Sequence, residues 1–179
     1  AMFSYKAKNY ALLSEDGKLS IKGAALKSRG LEKFQRVFIE RAVRALLEGK
    51  PEAIPSMHAE LAKALREREW APEMFAKTEA LQDSPEAYQR KIAASSRNRS
   101  AAFELALRSA CKMQAGDRIS YYITGTKKTV KAYESAKLVT EWDPQNRDEN
   151  TAYYLAKLDE LAGKFEAFVP ASAGGDRLL

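Results

Sequence analysis

The chain has 179 residues, 45% hydrophobic and 30% charged, with a net charge of +6. That size and balance fit one domain, or one domain with an appended hairpin, and supply enough apolar side chains for a core. They exclude a transmembrane helix, because no apolar run exceeds a few residues. The single cysteine, Cys111, excludes an intrachain disulfide and a cysteine-based zinc site.

The excess charge is unevenly placed. The first fifty residues hold 11 Lys/Arg against 5 Asp/Glu, while residues 51–179 hold 19 of each. A basic segment on a neutral body fits an anionic partner such as nucleic acid, or simply a solvated basic face. No charged-then-apolar leader is read at the N-terminus, and a reducing cytoplasm is the expected compartment.

In chain order, Phe3 to Leu13 alternates as a strand, Ser14-Glu15-Asp16-Gly17-Lys18 is a turn, and Leu19 to Gly23 is a return strand. Two β-type runs around a short polar loop with glycine predict a β-hairpin. From Leu26 the period changes, and Leu31, Phe34, Phe38, Ala42 and Ala45 mark an amphipathic helix ended by Gly49 and Pro51. Ser56 is the expected cap of a second helix that carries Leu61 and Leu65 and stops before Pro72. Residues 72–83 read as irregular. Ser84-Pro85-Glu86 then opens a short helix with proline in its first turn. Residues 95–99 form a polar, basic break before a helix over 100–110. Arg118 to Thr124 is a β-type run, residues 125–131 a basic loop, and residues 137–142 a further short extended piece. Asp143-Pro144 turns into a closing helix marked by Ala152, Leu155, Leu158, Leu161 and Phe165, and residues 170–179 form a polar tail expected to be disordered. The fold class is mainly α with a β-hairpin and short strands (α+β).

Intrinsic catalytic constellations are missing from the sequence. No glycine-rich phosphate loop and no nucleophile elbow occurs, and His58, the one histidine, leaves no histidine pair for a metal. Cys111 follows Leu105 and Leu107 and precedes Met113, so a small buried thiol is expected. What remains is a binding motif: Lys6, Lys8 and Tyr10 share one face of a strand. Lysine can reach a phosphate or a groove edge, and a tyrosine hydroxyl can hydrogen-bond a phosphate while its ring packs on sugar. A solvated strand face is the competing reading of these residues alone.

The segment Tyr5-Lys6-Ala7-Lys8-Asn9-Tyr10-Ala11-Leu12, with its acidic glycine turn and Ile21-Lys22-Gly23, resembles the K-x-Y hairpin of family B DNA polymerases. Four further runs follow in order. Lys27-Ser28-Arg29 stands where the family's first thumb helix opens. Tyr88, with the basic link into Ser100-Ala101-Ala102, resembles a thumb stretch that approaches the duplex. Gly116-Asp117-Arg118-Ile119-Ser120-Tyr121-Tyr122-Ile123 is similar to the family's G-D-x-I-x-Y-x-I strand. Trp142-Asp143-Pro144 and Tyr153-Tyr154 resemble the lead into its last thumb helix. Together they span nearly the whole chain.

The resemblance implies a hairpin at the palm–thumb junction over residues 1–25, a helical thumb over 26–169 and a tail over 170–179. It implies that Lys8 and Tyr10 contact primer–template duplex DNA, with Lys6, Lys27 and Arg29 beside them. Arg97 and Arg99, in a break between helices, are further candidates for phosphates. The family's metal-binding aspartates lie upstream of this hairpin, so no cofactor is expected in this chain, and magnesium is expected in the parent polymerase's palm. The implied partners are the duplex and that upstream palm, with no membrane. A stand-alone nucleic-acid-binding domain and a helical protein-interaction module are the alternatives.

Overall fold

The structure is a computed structural model that describes residues 2–4, 10–23, 30–94 and 99–170. It is an α+β fold of two compact units, one formed by residues up to Glu67 together with those from Lys157 onward, the other by Arg68–Ala156.

The first unit begins with a three-stranded antiparallel sheet: β1 (Met2–Ser4), β2 (Tyr10–Leu13) and β3 (Leu19–Lys22). Met2 pairs with Leu12, and Leu12 with Ser20. The single strand expected over Phe3–Leu13 is therefore two antiparallel strands. Two-residue alternation cannot tell one long strand from two short ones. The β2–β3 turn is built locally: Ser14 N–H donates to the Lys18 carbonyl at 3.1 Å, its hydroxyl bonds Asp16, and Gly17 takes φ +78°.

Helix α1 (Lys33–Leu47) follows. Its apolar stripe of Phe34, Phe38, Ile39, Ala42 and Val43 is at most 1% exposed, as its three- and four-residue spacing requires. Gln35 accepts from the Glu32 N–H at 3.3 Å in a reciprocal cap. At the other end Gly49, at φ +71°, lets Gly49 N–H reach the Leu46 carbonyl and Lys50 N–H the Ala45 carbonyl, a Schellman closure. Helix α2 (Ile54–Arg66) begins two residues before Ser56, through a 3-10 turn over Pro51–Ala53. Ser56 is therefore inside the helix and caps nothing; the prolines at 51 and 55 set the start instead. Phe38 meets Phe165 edge-on at 5.7 Å, and Leu61, Leu65, Leu158 and Leu161 complete the core. His58 is half-buried and bonds Asp159 at 2.8 Å.

The second unit is centred on another three-stranded antiparallel sheet: β4 (Lys77–Ala80), β5 (Arg118–Ile123) and β6 (Ala136–Leu138). Strand β4 lies in the stretch expected to be irregular. Its K-T-E-A sequence has no apolar alternation, and it is held across the sheet by Thr78–Ser120 at 2.7 Å and Tyr121–Glu79 at 3.0 Å. Helices α3 (Pro85–Ala94), α4 (Ala101–Arg108) and the single turn α5 (Ala132–Ser135) accompany it. Ser84 caps α3 as expected, accepting from Ala87 N–H at 3.2 Å. Helix α4 ends at Arg108, so Cys111 lies beyond it and is exposed, against the expectation of a buried thiol. Helix α6 (Thr151–Gly163) closes the pattern. The tail at 171–179 lies outside the described residues. Among the described residues no helix is long and apolar enough to cross a membrane.

Candidate nucleic-acid interface

Strand pairing decides which hairpin side chains share a face. Ala11 is fully buried, while Met2, Ser4, Tyr10, Leu12, Ser20 and Lys22 alternate onto the opposite face. Tyr10 stands directly across from Lys22, with Ser4 on its other side. Tyr10 is half-buried and Lys22 exposed, and neither side chain has a hydrogen-bond or ionic partner among the described residues. A fixed phenol beside an unpaired ammonium can address a phosphodiester: the hydroxyl donates to one oxygen and the cation screens the charge.

A second feature of this unit lies between the β2–β3 turn and α1. A cleft of about 560 Å³ is lined by Lys18, Leu19, Ile21, Arg36, Arg41 and Arg44, among others. Arg44 donates to the Gly17 carbonyl at 3.2 Å and so ties the turn to the helix. Arg41 is spent on a forked pair with Glu60 at 3.1 and 2.7 Å; that bond lowers the Glu60 carboxyl below its ordinary pKa and raises the guanidinium. Lys18 and Arg36 remain exposed and without an ionic partner among the described residues. Asp16, in the turn, is also held below its ordinary pKa, chiefly by the Ser14 hydroxyl.

Of the residues singled out by sequence, Tyr10 is on this open face. Lys6, Lys8, Lys27, Arg29 and Arg97 lie outside the described residues. Arg99 belongs to the other unit, where it lies 3.8 Å from Glu104 and 5.7 Å from the Tyr133 ring centroid. Tyr88 does not present itself outward. It is 8% exposed, donates to Glu104 at 3.1 Å, accepts from Ser100 N–H at 3.0 Å and stacks on Phe103 at 4.5 Å. It joins α3 to the start of α4. Lys22 and Arg36 were missed; Lys22 needed the strand register, which no local pattern supplies.

Among the described residues no three His, Cys, Asp or Glu side chains come together in a group that could hold a metal ion.

The family model for DNA polymerase family B matches residues 3–164, and the chain belongs to that family. Curated protein sequences give no significant match. Among solved structures, the chain is similar to the family B DNA polymerase of the hyperthermophilic archaeon Pyrobaculum calidifontis, with a TM-score of 0.71 over 95% of its own length at 17% identity. The chain spans 21% of that polymerase.

Proposed function

We propose that this chain is the thumb of a family B DNA polymerase with the hairpin that joins it to the palm, and that it grips primer–template duplex DNA without reading sequence. The hairpin is residues 1–25, the thumb 26–169 and the tail 170–179. The observation that carries the reading is the Tyr10–Lys22 pair, which has no side-chain partner among the described residues, in a chain of this family. Lys8, Lys6, Lys27 and Arg29, which lie outside the described residues, are proposed as further contacts of the same grip. Such contacts act on the backbone and minor groove and are mainly electrostatic. Chemistry belongs to the upstream palm, whose aspartates and magnesium carry out nucleotidyl transfer in replication or repair in the cytoplasm. Met2 and Leu12, 67% and 41% exposed at the end of the same face, favour a protein neighbour there, and the palm is the fitting one.

Fluorescence anisotropy with a labelled primer–template duplex tests the reading. Binding is expected at low ionic strength, equal for unrelated duplex sequences, and weakened several-fold by Lys8→Ala and by Tyr10→Ala. Absence of binding at low ionic strength would instead favour a helical protein-interaction module with a solvated hairpin. A gene whose upstream frame lacks the acidic polymerase motifs would point to a stand-alone binding domain.

A further inference from the structure

Residues 51–179 carry as many acids as bases, yet folding gathers their charge unevenly. Thr124 and Ser135 close a loop, the Thr124 N–H and hydroxyl both donating to the Ser135 carbonyl at 2.8 and 2.9 Å. The loop's start is pinned from below by Asn150, which is fully buried and donates through Nδ2 to the Thr124 and Lys127 carbonyls at 3.3 and 3.0 Å. Gly125, at φ +105°, passes directly over that amide; a Cβ there would sit 3.5 Å from Nδ2 in a backbone conformation L side chains rarely adopt. The loop's far end rests on α4, where Arg108 donates to the Tyr133 carbonyl at 3.2 Å.

This backbone presents cations. Lys127 and Lys128 are exposed and have no ionic partner among the described residues. Lys131 and Arg99 both approach the Tyr133 ring, at 6.0 and 5.7 Å from its centroid. Arg108 spends its hydrogen bonds on two carbonyls and pairs with no carboxylate among the described residues. Against these five cations stand Glu104 and Glu134, paired loosely with Arg99 at 3.8 Å and with Lys131 at 3.5 Å. The exposed Lys131–Glu134 pair is worth little, so a phosphate could replace that carboxylate at small cost, whereas Glu104 is also held by the Tyr88 hydroxyl. Because the loop's start is already ordered by Asn150, a ligand need not meet the full entropy of fixing the chain.

We infer that the loop over residues 124–135 is a second phosphodiester-contacting surface. Lys127 and Lys128 contact phosphate oxygens there. The inference rests on the reading that this chain holds duplex DNA, and it assigns that grip a site in the second unit, independent of the hairpin. The test is a salt series of anisotropy titrations with primer–template duplex on the full chain, the Lys127→Ala/Lys128→Ala variant and Tyr10→Ala, each checked by urea unfolding. The double variant should unfold as the parent does, bind about tenfold more weakly, and show a log–log salt dependence shallower by about 2, one contact per lysine. If it keeps the parent's affinity and salt slope while Tyr10→Ala weakens binding, the loop assignment is wrong and the hairpin reading stands. If the parent chain binds no duplex at low ionic strength, both fall.

Discussion

The two three-stranded sheets have the same antiparallel order, but the tyrosines on and against them differ in what they are bonded to. In the second unit the tyrosines are tied down. Tyr121 donates to Glu79 at 3.0 Å, Tyr122 donates to Asp148 at 2.7 Å, and the Tyr154 hydroxyl accepts from Ile123 N–H at 2.8 Å. In the hairpin sheet, Tyr10 and its cross-strand partner Lys22 have no such bonds among the described residues. A hydroxyl with an internal partner serves the fold, whereas one held in place without a partner is available to something outside. Substitutions of the bonded tyrosines in the second unit should therefore register as stability, and those in the hairpin sheet as binding.

Both tryptophans, Trp70 and Trp142, lie in the Arg68–Ala156 unit, so their fluorescence reports that unit's unfolding. The largest loss is expected for Glu149→Ala. Glu149 is 3% exposed, lies 3.1 Å from Arg147 and 3.5 Å from Arg68, and accepts from the Trp142 indole at 3.3 Å. Removing it strands these donors and should cost about 3 kcal/mol in urea titrations. Next comes Tyr154→Phe, which leaves the buried Ile123 N–H without its acceptor and should cost about 2 kcal/mol.

A smaller effect is a pH dependence in the second unit. Burial, with the Asp148 carboxylate alongside, pushes the Tyr122 phenol above its ordinary pKa. A raised pKa gives stability that is full below about pH 10 and lost as pH rises beyond it, because the unfolded chain releases its proton first. Tyr122→Phe should flatten that alkaline decline in the urea midpoint. On the acid side, burial pushes Asp148 up, but the Lys137 ammonium and the Tyr122 hydroxyl outweigh it and leave the carboxyl lowered. The stability it contributes is therefore present above about pH 4 and disappears as pH falls below it. Smallest of all should be Tyr10→Phe, within about 0.5 kcal/mol of the parent in stability, yet measurably weaker on duplex DNA.

What could be read without coordinates was what neighbouring residues decide among themselves. The stripe of Phe34, Phe38, Ala42 and Ala45, the Ser84 cap with Pro85, and the glycine turn at 14–18 each encode their element within a few positions. What escaped is decided at a distance. Strand β4 exists because Thr78 and Glu79 find Ser120 and Tyr121, some forty residues on. Lys22 joins Tyr10 only through strand register, and Arg99, Lys131 and Arg108 meet around Tyr133 only once α5 packs on α4. Cys111 was misjudged because its apolar spacing continues past the point where α4 ends. The candidate interface was thus legible as a motif and a charge excess, while its partners were not.

The central claim is that the open hairpin face holds duplex DNA. The most direct measurement is the salt dependence of duplex affinity for the parent chain and for Lys22→Ala, a residue whose only assigned role comes from its place opposite Tyr10. The account predicts equal urea midpoints, weaker binding, and a log–log slope shallower by about 1. An unchanged affinity and slope, with the parent still binding, would contradict it.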